Sequence, residues 1–296
     1  MKKEALGTLL ILLTAISSGI AIVVNKFFVA SIDPLILTAS RALIIGIIFL
    51  AISLFISKSS NKKFNKVSWK YLVLIGIIGG SVAFWMFFEG LKLTTAGRAA
   101  FIHKTLPIYA FILAFIFLKE KITKNQILAL GIMLLGLILL ESGNVLTEIR
   151  TGDFLVLLAT CLWAIENTIA KKAMLKKESN FVVVFSRMFF GSIILFAIIF
   201  ILGKSGELLT LNSKQVAYIL VSGLFLLFYV LTYYWGLKYI NLSKASTILL
   251  ISPVISLILG YIWLSEQVLA LQLAGSLLIL IGAYFTSKTK SESREI

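Results

Sequence analysis

The chain is short of the residues from which most catalytic and metal centres are built. A single cysteine, Cys161, excludes a disulfide framework and a cysteine-based metal cluster. A single histidine, His103, excludes a multi-histidine metal site. No glycine-rich phosphate loop is present, so nucleotide hydrolysis has nowhere to occur. Neither a metal nor a cofactor is expected. Charge is scarce as well: 14% of the 296 residues, against about a quarter in soluble proteins. Hydrophobic residues make up 59% of the chain and the mean hydropathy is +1.02. A soluble domain of this size could not hide that much apolar surface, which removes the soluble and disordered classes.

Acidic residues are the scarcer sign. Twenty-eight Lys and Arg against 13 Asp and Glu leave a net charge of +15. On a soluble chain that excess would suggest nucleic acid. Here the cations stand in short runs between apolar stretches, so the expected partner is the lipid bilayer and not nucleic acid. A bilayer core of about 30 Å needs about 20 apolar residues as helix. Ten such stretches run near 5–25, 34–57, 70–91, 97–118, 125–143, 152–172, 181–203, 214–237, 244–264 and 269–286. The first reads as a retained span, because its apolar run is long for a signal peptide and ends at Asn25-Lys26. With the N-terminus inside, 19 loop cations fall on the inner face and six on the outer. That bias predicts a multi-pass protein of the plasma membrane with both termini in the cytoplasm.

The two halves repeat. Ser40-Arg41 recurs as Ser186-Arg187, Gly90-Leu91-Lys92 as Gly236-Leu237-Lys238, Pro107 as Pro253, and Glu120 as Glu266, all 146 positions apart. The implied units are 1–148 and 149–296, each with five spans. Five is odd, so the second unit enters the membrane with the opposite polarity. Inverted repeats of this kind enclose a shared site that rocking can open to either side. The expected fold is therefore an all-α polytopic membrane protein of ten transmembrane helices, arranged as two inverted five-helix repeats. The expected class is a transporter with a small-molecule substrate.

Two stretches carry a more specific resemblance. Ala99 to Glu120 places a proline in a helix and ends Phe117-Leu118-Lys119-Glu120-Lys121-Ile122, and its second copy ends Trp263-Leu264-Ser265-Glu266-Gln267. With the Ser-Arg pairs near the start of spans two and seven, they make the chain similar to the drug/metabolite transporter superfamily, in its EamA-like branch, over essentially its whole length. The second copy departs where Ser265 and Gln267 replace basic neighbours of the glutamate. The resemblance implies alternating-access transport, usually export, of a small metabolite such as an amino acid or amphipathic solute. It also implies coupling to a proton gradient or to exchange, and it implies no enzyme activity. A sugar-phosphate or nucleotide-sugar exchanger of the same superfamily stands as the alternative. A membrane assembly protein or an integral membrane enzyme is the reading from another class. A homodimer is left open.

Charged and kinked positions inside the spans are the candidate site. A charge in a transmembrane helix costs about 2.5–3.5 kcal/mol on insertion scales and needs a partner or water. Lys104, one turn from Pro107, is the expected anchor for a substrate carboxylate, with Glu89 as a possible partner. Its counterpart in the second half is Leu250, so the two halves are unequal there. Pro107 and Pro253 each remove a backbone donor and are expected to bend helices around the central site. Trp85, Trp163 and Tyr234 are the aromatic candidates to line it. Arg41 with Glu141, and Glu166 with Arg187, are expected as structural ion pairs. Glu120 and Glu266 are expected to cap the helices that follow them, since a carboxylate is favoured at a helix N-terminus.

Overall fold

The computed structural model describes residues 2–60, 68–141, 149–265 and 267–291. Glu266 and the loop cations Lys62, Lys63, Lys66 and Arg294 lie outside the described residues. The chain runs as helices joined by short turns, which is what lipid demands of a backbone that has no water to satisfy its amides. The first half comprises α1 (Lys2–Phe28), α2 (Pro34–Ser60), α3 (Trp69–Leu93), α4 (Ala96–Lys104 continued by Leu106–Phe117) and α5 (Lys124–Leu140). The second comprises α6 (Thr151–Leu175), α7 (Asn180–Ile201), α8 (Ser213–Tyr239), α9 (Leu242–Ile248 and Ser252–Leu264, joined by a 3-10 turn) and α10 (Ala270–Lys288). Among the described residues nine of these are long and apolar enough to cross a membrane. The tenth, α5, has 17 residues. At 1.5 Å per residue it covers about 25 Å, so its flanking polar groups sit close to the apolar layer.

The packing shows how the halves are related. Helix α2 lies along α7, and α5 along α10. Helix α1 lies along α8, while α3 lies along α6; α1 also meets α9, and α4 also meets α6. Exchange the halves, 1 for 6, 2 for 7 and so on, and every one of these pairs maps onto a member of the same set. That is the signature of a two-fold axis in the membrane plane. Each helix has its main neighbour in the opposite half, so the interface between halves is the core of the molecule.

Small residues make that interface close. Lipid tails are as apolar as leucine, so helix association in a membrane rests on tight packing and interhelical hydrogen bonds. Gly90 of α3 crosses Gly152 of α6, and a Cβ on either would press on the other's carbonyl oxygen. The equivalent crossing, Gly7 of α1 on Gly236 of α8, repeats the arrangement at the opposite face. Hydroxyls add specific ties across the halves. Thr14 donates to Thr232 at 2.8 Å, joining α1 to α8, and Ser186 donates to the carbonyl of Leu72, joining α7 to α3. Bonds of this type contribute roughly 0.6 kcal/mol each.

Candidate functional site

The interior polar groups gather where helices depart from regular α geometry. Helix α4 breaks at Thr105, whose hydroxyl and amide both bond back to the carbonyl of Ile102. Pro107 follows in the first turn of the resumed helix, where its missing N–H costs nothing. Helix α9 breaks at the matching place, through a 3-10 turn at Leu249–Ile251 ahead of Pro253. The two breaks are joined across the halves: Lys104 Nζ donates to Ser252 Oγ at 2.7 Å. The lysine and the two prolines therefore sit together near the two-fold axis.

Next to Lys104, His103 packs on Trp163 with ring centroids 4.8 Å apart. Phe87 closes on both rings, at 5.8 Å from His103 and 5.5 Å from Trp163. Trp163 itself is held by Nε1, which donates to the carbonyl of Gly79 at 3.1 Å. That carbonyl belongs to a π-helical turn, Ile78–Val82, in the middle of α3. Ser81 stabilises the turn by donating to the carbonyl of Ile77 at 2.7 Å. Single π turns inside α-helices recur at functional sites. Gly79 is required there because a Cβ would overlap the Glu166 side chain.

Glu166 is wholly buried. Tyr234 Oη donates to its Oε1 at 2.9 Å, and Arg187 Nη1 donates to the same hydroxyl at 2.9 Å. Arg187 Nη1 stands 3.5 Å from Glu166 Oε2, so the structure brings the two charges together with tyrosine as a bridge. Oε2 and Arg187 Nε have no hydrogen-bond partner among the described residues.

Arg41, matched to Arg187 by the repeat, has a different environment. Its Nη1 donates to Ser222 Oγ at 2.8 Å, and Ser222 donates to Asn25 Oδ1 at 2.8 Å. The expected Arg41–Glu141 pair does not form. Helix α2 is packed on α7 and α8, whereas α5 is packed on α10, so the two side chains lie on different sides of the bundle. Glu141 instead faces the charge of Lys104.

Three further expectations are corrected. Glu89 does not meet Lys104: it pairs at 2.6 Å with Lys92, one turn along the same helix and nearer solvent. Trp85 is 37% exposed and does not join the Trp163 cluster. Glu120 does cap a helix, but in the other half. It accepts from the amides of Leu242 and Ser243 at 2.7 and 3.1 Å, at the start of α9 rather than α5. The N-terminus of α5 is capped by Thr123 and Gln126 instead.

Sequence reasoning counted several buried cations as loop charges. Lys171 donates to the carbonyls of Leu237 and Ile240 at 2.5 and 2.9 Å, closing the end of α8. Arg98, at the start of α4, pairs with Asp153 at the start of α6 at 2.5 Å. Lys244, at the start of α9, pairs with Glu4 at the start of α1 at 3.1 Å. Arg98 and Lys244 are 146 positions apart, so these are matched ties at opposite faces, each joining one half to the other. That spacing was the signal available in the sequence.

The comparisons with known proteins agree with this architecture. A protein-family model described as the EamA-like transporter family matches residues 5–142 and again 150–288. A protein of Archaeoglobus fulgidus named "Uncharacterized transporter" is 29% identical, with 94% of this chain and 97% of that protein aligned. "Uncharacterized transporter YyaM" of Bacillus subtilis is 26% identical over 92% and 90% of the two chains. "Protein LicB" of Haemophilus influenzae is 26% identical over 83% and 84%. A solved structure titled "Crystal structure of protein" shares the fold, with a TM-score of 0.75 at 16% identity over 94% and 95% of the two chains. Matched in both halves by one family model and spanning nearly the full length of transporter relatives, the chain belongs to the EamA-like transporter family and is a membrane transporter rather than an enzyme.

Proposed function

We propose that the protein is a secondary transporter for a small carboxylate-bearing metabolite, amino-acid-like or amphipathic, chiefly exporting it across the plasma membrane with both termini in the cytoplasm. Alternating access between two inverted halves moves the solute, driven by a proton gradient or by exchange. The observation that carries this reading is Lys104. It stands at the junction of the two broken helices, and its one hydrogen bond among the described residues goes to a neutral hydroxyl. Its one anionic neighbour among the described residues, Glu141, faces it without forming an ion pair, so a cation inside the membrane protein keeps room for a bound anion. Trp163 and His103 supply an apolar wall beside it, and Pro107 and Pro253 fix the bends that open the space. Tyr234 acts from behind, positioning the Glu166–Arg187 pair. Trp85 and Glu89 fall outside this pathway. A single neighbouring cation suits a zwitterion better than a sugar phosphate, since Arg187 is already neutralised by Glu166.

Uptake by purified protein in liposomes, over a panel of amino acids and other carboxylates, tests the assignment. Run with and without an imposed pH gradient, it identifies substrate and coupling together. Lys104→Met is expected to lower uptake of the preferred substrate at least about tenfold, equivalent to about 1.4 kcal/mol of binding. Equal reconstitution with unchanged uptake would remove Lys104 from the pathway.

A further inference from the structure

Two clefts open on the surface of the bundle, and the repeat relates them. The first has a volume of about 150 Å³ and is lined by Asp33, Leu35, Glu89, Lys92 and Lys204. It sits between the α1–α2 turn and the end of α3. The second is larger, about 350 Å³, and is lined by Lys177, Glu178, Ser179, Phe181, Trp235 and Lys238. It sits between the α6–α7 turn and the end of α8, at the opposite face. Asp33 matches Ser179, Leu35 matches Phe181, Glu89 matches Trp235 and Lys92 matches Lys238, all at the 146-residue offset. The same architectural niche therefore appears twice, once at each membrane surface.

Its electrostatics are opposite in the two copies. In the first cleft every charge has an internal partner. Lys204 pairs with Asp33, and Lys92 pairs with Glu89 at 2.6 Å, so two cations meet two anions. In the second cleft the matching carboxylates are gone, replaced by Ser179 and Trp235. Two cations face one anion, and that anion, Glu178, is engaged by the amide of Ser68 at 2.7 Å. Among the described residues the Lys177 and Lys238 ammonium groups have no ion-pair or hydrogen-bond partner. The floor has gained aromatic area where the first cleft has Leu35 and Glu89: Trp235 meets Phe181 edge to face at 4.8 Å. Met174, on the last turn of α6, adds an aliphatic wall. A cationic rim over an apolar floor at the membrane surface fits an amphiphile with an anionic head.

We propose that the cleft of Lys177, Lys238, Trp235 and Phe181 is a headgroup site for an anionic phospholipid of the leaflet on that face. The lipid phosphate takes the place that Asp33 and Glu89 occupy in the other copy, between the two lysines. The acyl chains leave past Met174. A free anion would use the lysines but not the apolar floor, which is why a lipid is the occupant. This site is separate from the Lys104 junction and does not depend on what is transported.

Retention of lipid by the purified full-length protein tests the proposal. Native mass spectrometry in detergent, titrated with phosphatidylglycerol, is expected to show saturable binding that phosphatidylcholine does not reproduce. A surface lysine contributes about a fivefold affinity gain for anionic lipid. The double variant Lys177→Gln/Lys238→Gln is therefore expected to bind about thirtyfold more weakly, while Lys177→Arg/Lys238→Arg retains binding and controls for folding. Lys92→Gln, in the neutralised copy, is expected to leave binding unchanged. Undiminished phosphatidylglycerol binding by the double Gln variant would overturn the site. Full competition by inorganic phosphate or glycerol phosphate at concentrations matching the lipid would overturn the lipid as occupant.

Discussion

Arg41 and Arg187 occupy the same position in the two halves, yet they are satisfied by different chemistry. Arg187 has a carboxylate within 3.5 Å and a tyrosine hydroxyl between them. Arg41 has a serine, backed by an asparagine; the Nε of both arginines is left without a partner among the described residues. The repeat preserves the cation and the helix it sits on, while the neighbours that answer it have diverged. Symmetry of the backbone thus leaves room for asymmetry of charge. One half closes charge on charge in a neutral triad; the other answers Arg41 with a neutral hydroxyl backed by a neutral amide.

The difference can be pressed by mutation. Removing the carboxylate in Glu166→Ala strands Arg187 in an apolar interior, and losing one partner of a buried pair costs about 3–5 kcal/mol. Ser222→Ala, which removes the partner of Arg41, is expected to cost about 1.5–3 kcal/mol, as for one hydrogen bond to a charged group. Denaturation in detergent micelles would compare the two; equal losses would mean that the triad is no more closed than the Arg41 network. The exchanged variant Glu166→Arg/Arg187→Glu is expected to recover part of the loss.

Gly79→Ala comes next, because the new methyl meets the Glu166 side chain and the π turn must shift. Overpacking of this kind costs about 1–3 kcal/mol. The equivalent change at Gly131, which has open space around it, is expected to be close to neutral in the same assay.

The two interhalf ties offer a finer comparison. Arg98→Gln and Lys244→Gln each break one matched ion pair, at opposite faces. Each is expected to raise labelling of engineered cysteines in the interior from its own face only, by a few-fold. Labelling that rises equally from both faces in either variant would mean that the ties are not face-specific.

The smallest effect belongs to pH. Burial alone would raise the Asp33 carboxyl, but Lys204 and the amides of Leu35 and Ile36 hold it below the usual carboxylate range. The same pair raises Lys204 above the usual lysine range. A depressed acid stabilises above its unfolded pKa and loses that contribution as pH falls through the folded value. A raised base stabilises below its unfolded pKa and loses it as pH climbs through the folded value. The pair therefore contributes steadily across neutral pH and fades at both extremes. For an ion pair at the surface that contribution is at most about 1 kcal/mol. Asp33→Asn is expected to lower the melting temperature at neutral pH, with the gap to the parent narrowing as pH falls below the usual carboxylate range.

Much of the architecture was legible in the sequence. Apolar runs of fixed length and matches such as Ser40-Arg41 with Ser186-Arg187 dictate ten helices and an inverted pair of halves, because bilayer thickness and backbone hydrogen bonding leave few alternatives. Partners were harder to read. Lys104 meets Ser252, Arg41 meets Ser222 and Arg98 meets Asp153, each in the other half and each beyond any local periodicity. Glu166 and Arg187 could be matched by depth alone, since both lie in adjacent helices at one level. The π turn at Ile78–Val82 left only a glycine pair as its trace, and glycines in a membrane helix first suggest packing.

The reciprocal packing of the halves bears on how the molecule is made. Synthesis delivers α1 to α5 before α6, α7, α8 and α10 exist, yet those are the surfaces that α3, α2, α1 and α5 rest against. The leading segment must wait in the bilayer with its docking faces covered only by lipid, held in place by hydrophobicity alone. Tandem fusion of the two copies in one polypeptide shortens that wait and supplies the partner helices in equal number.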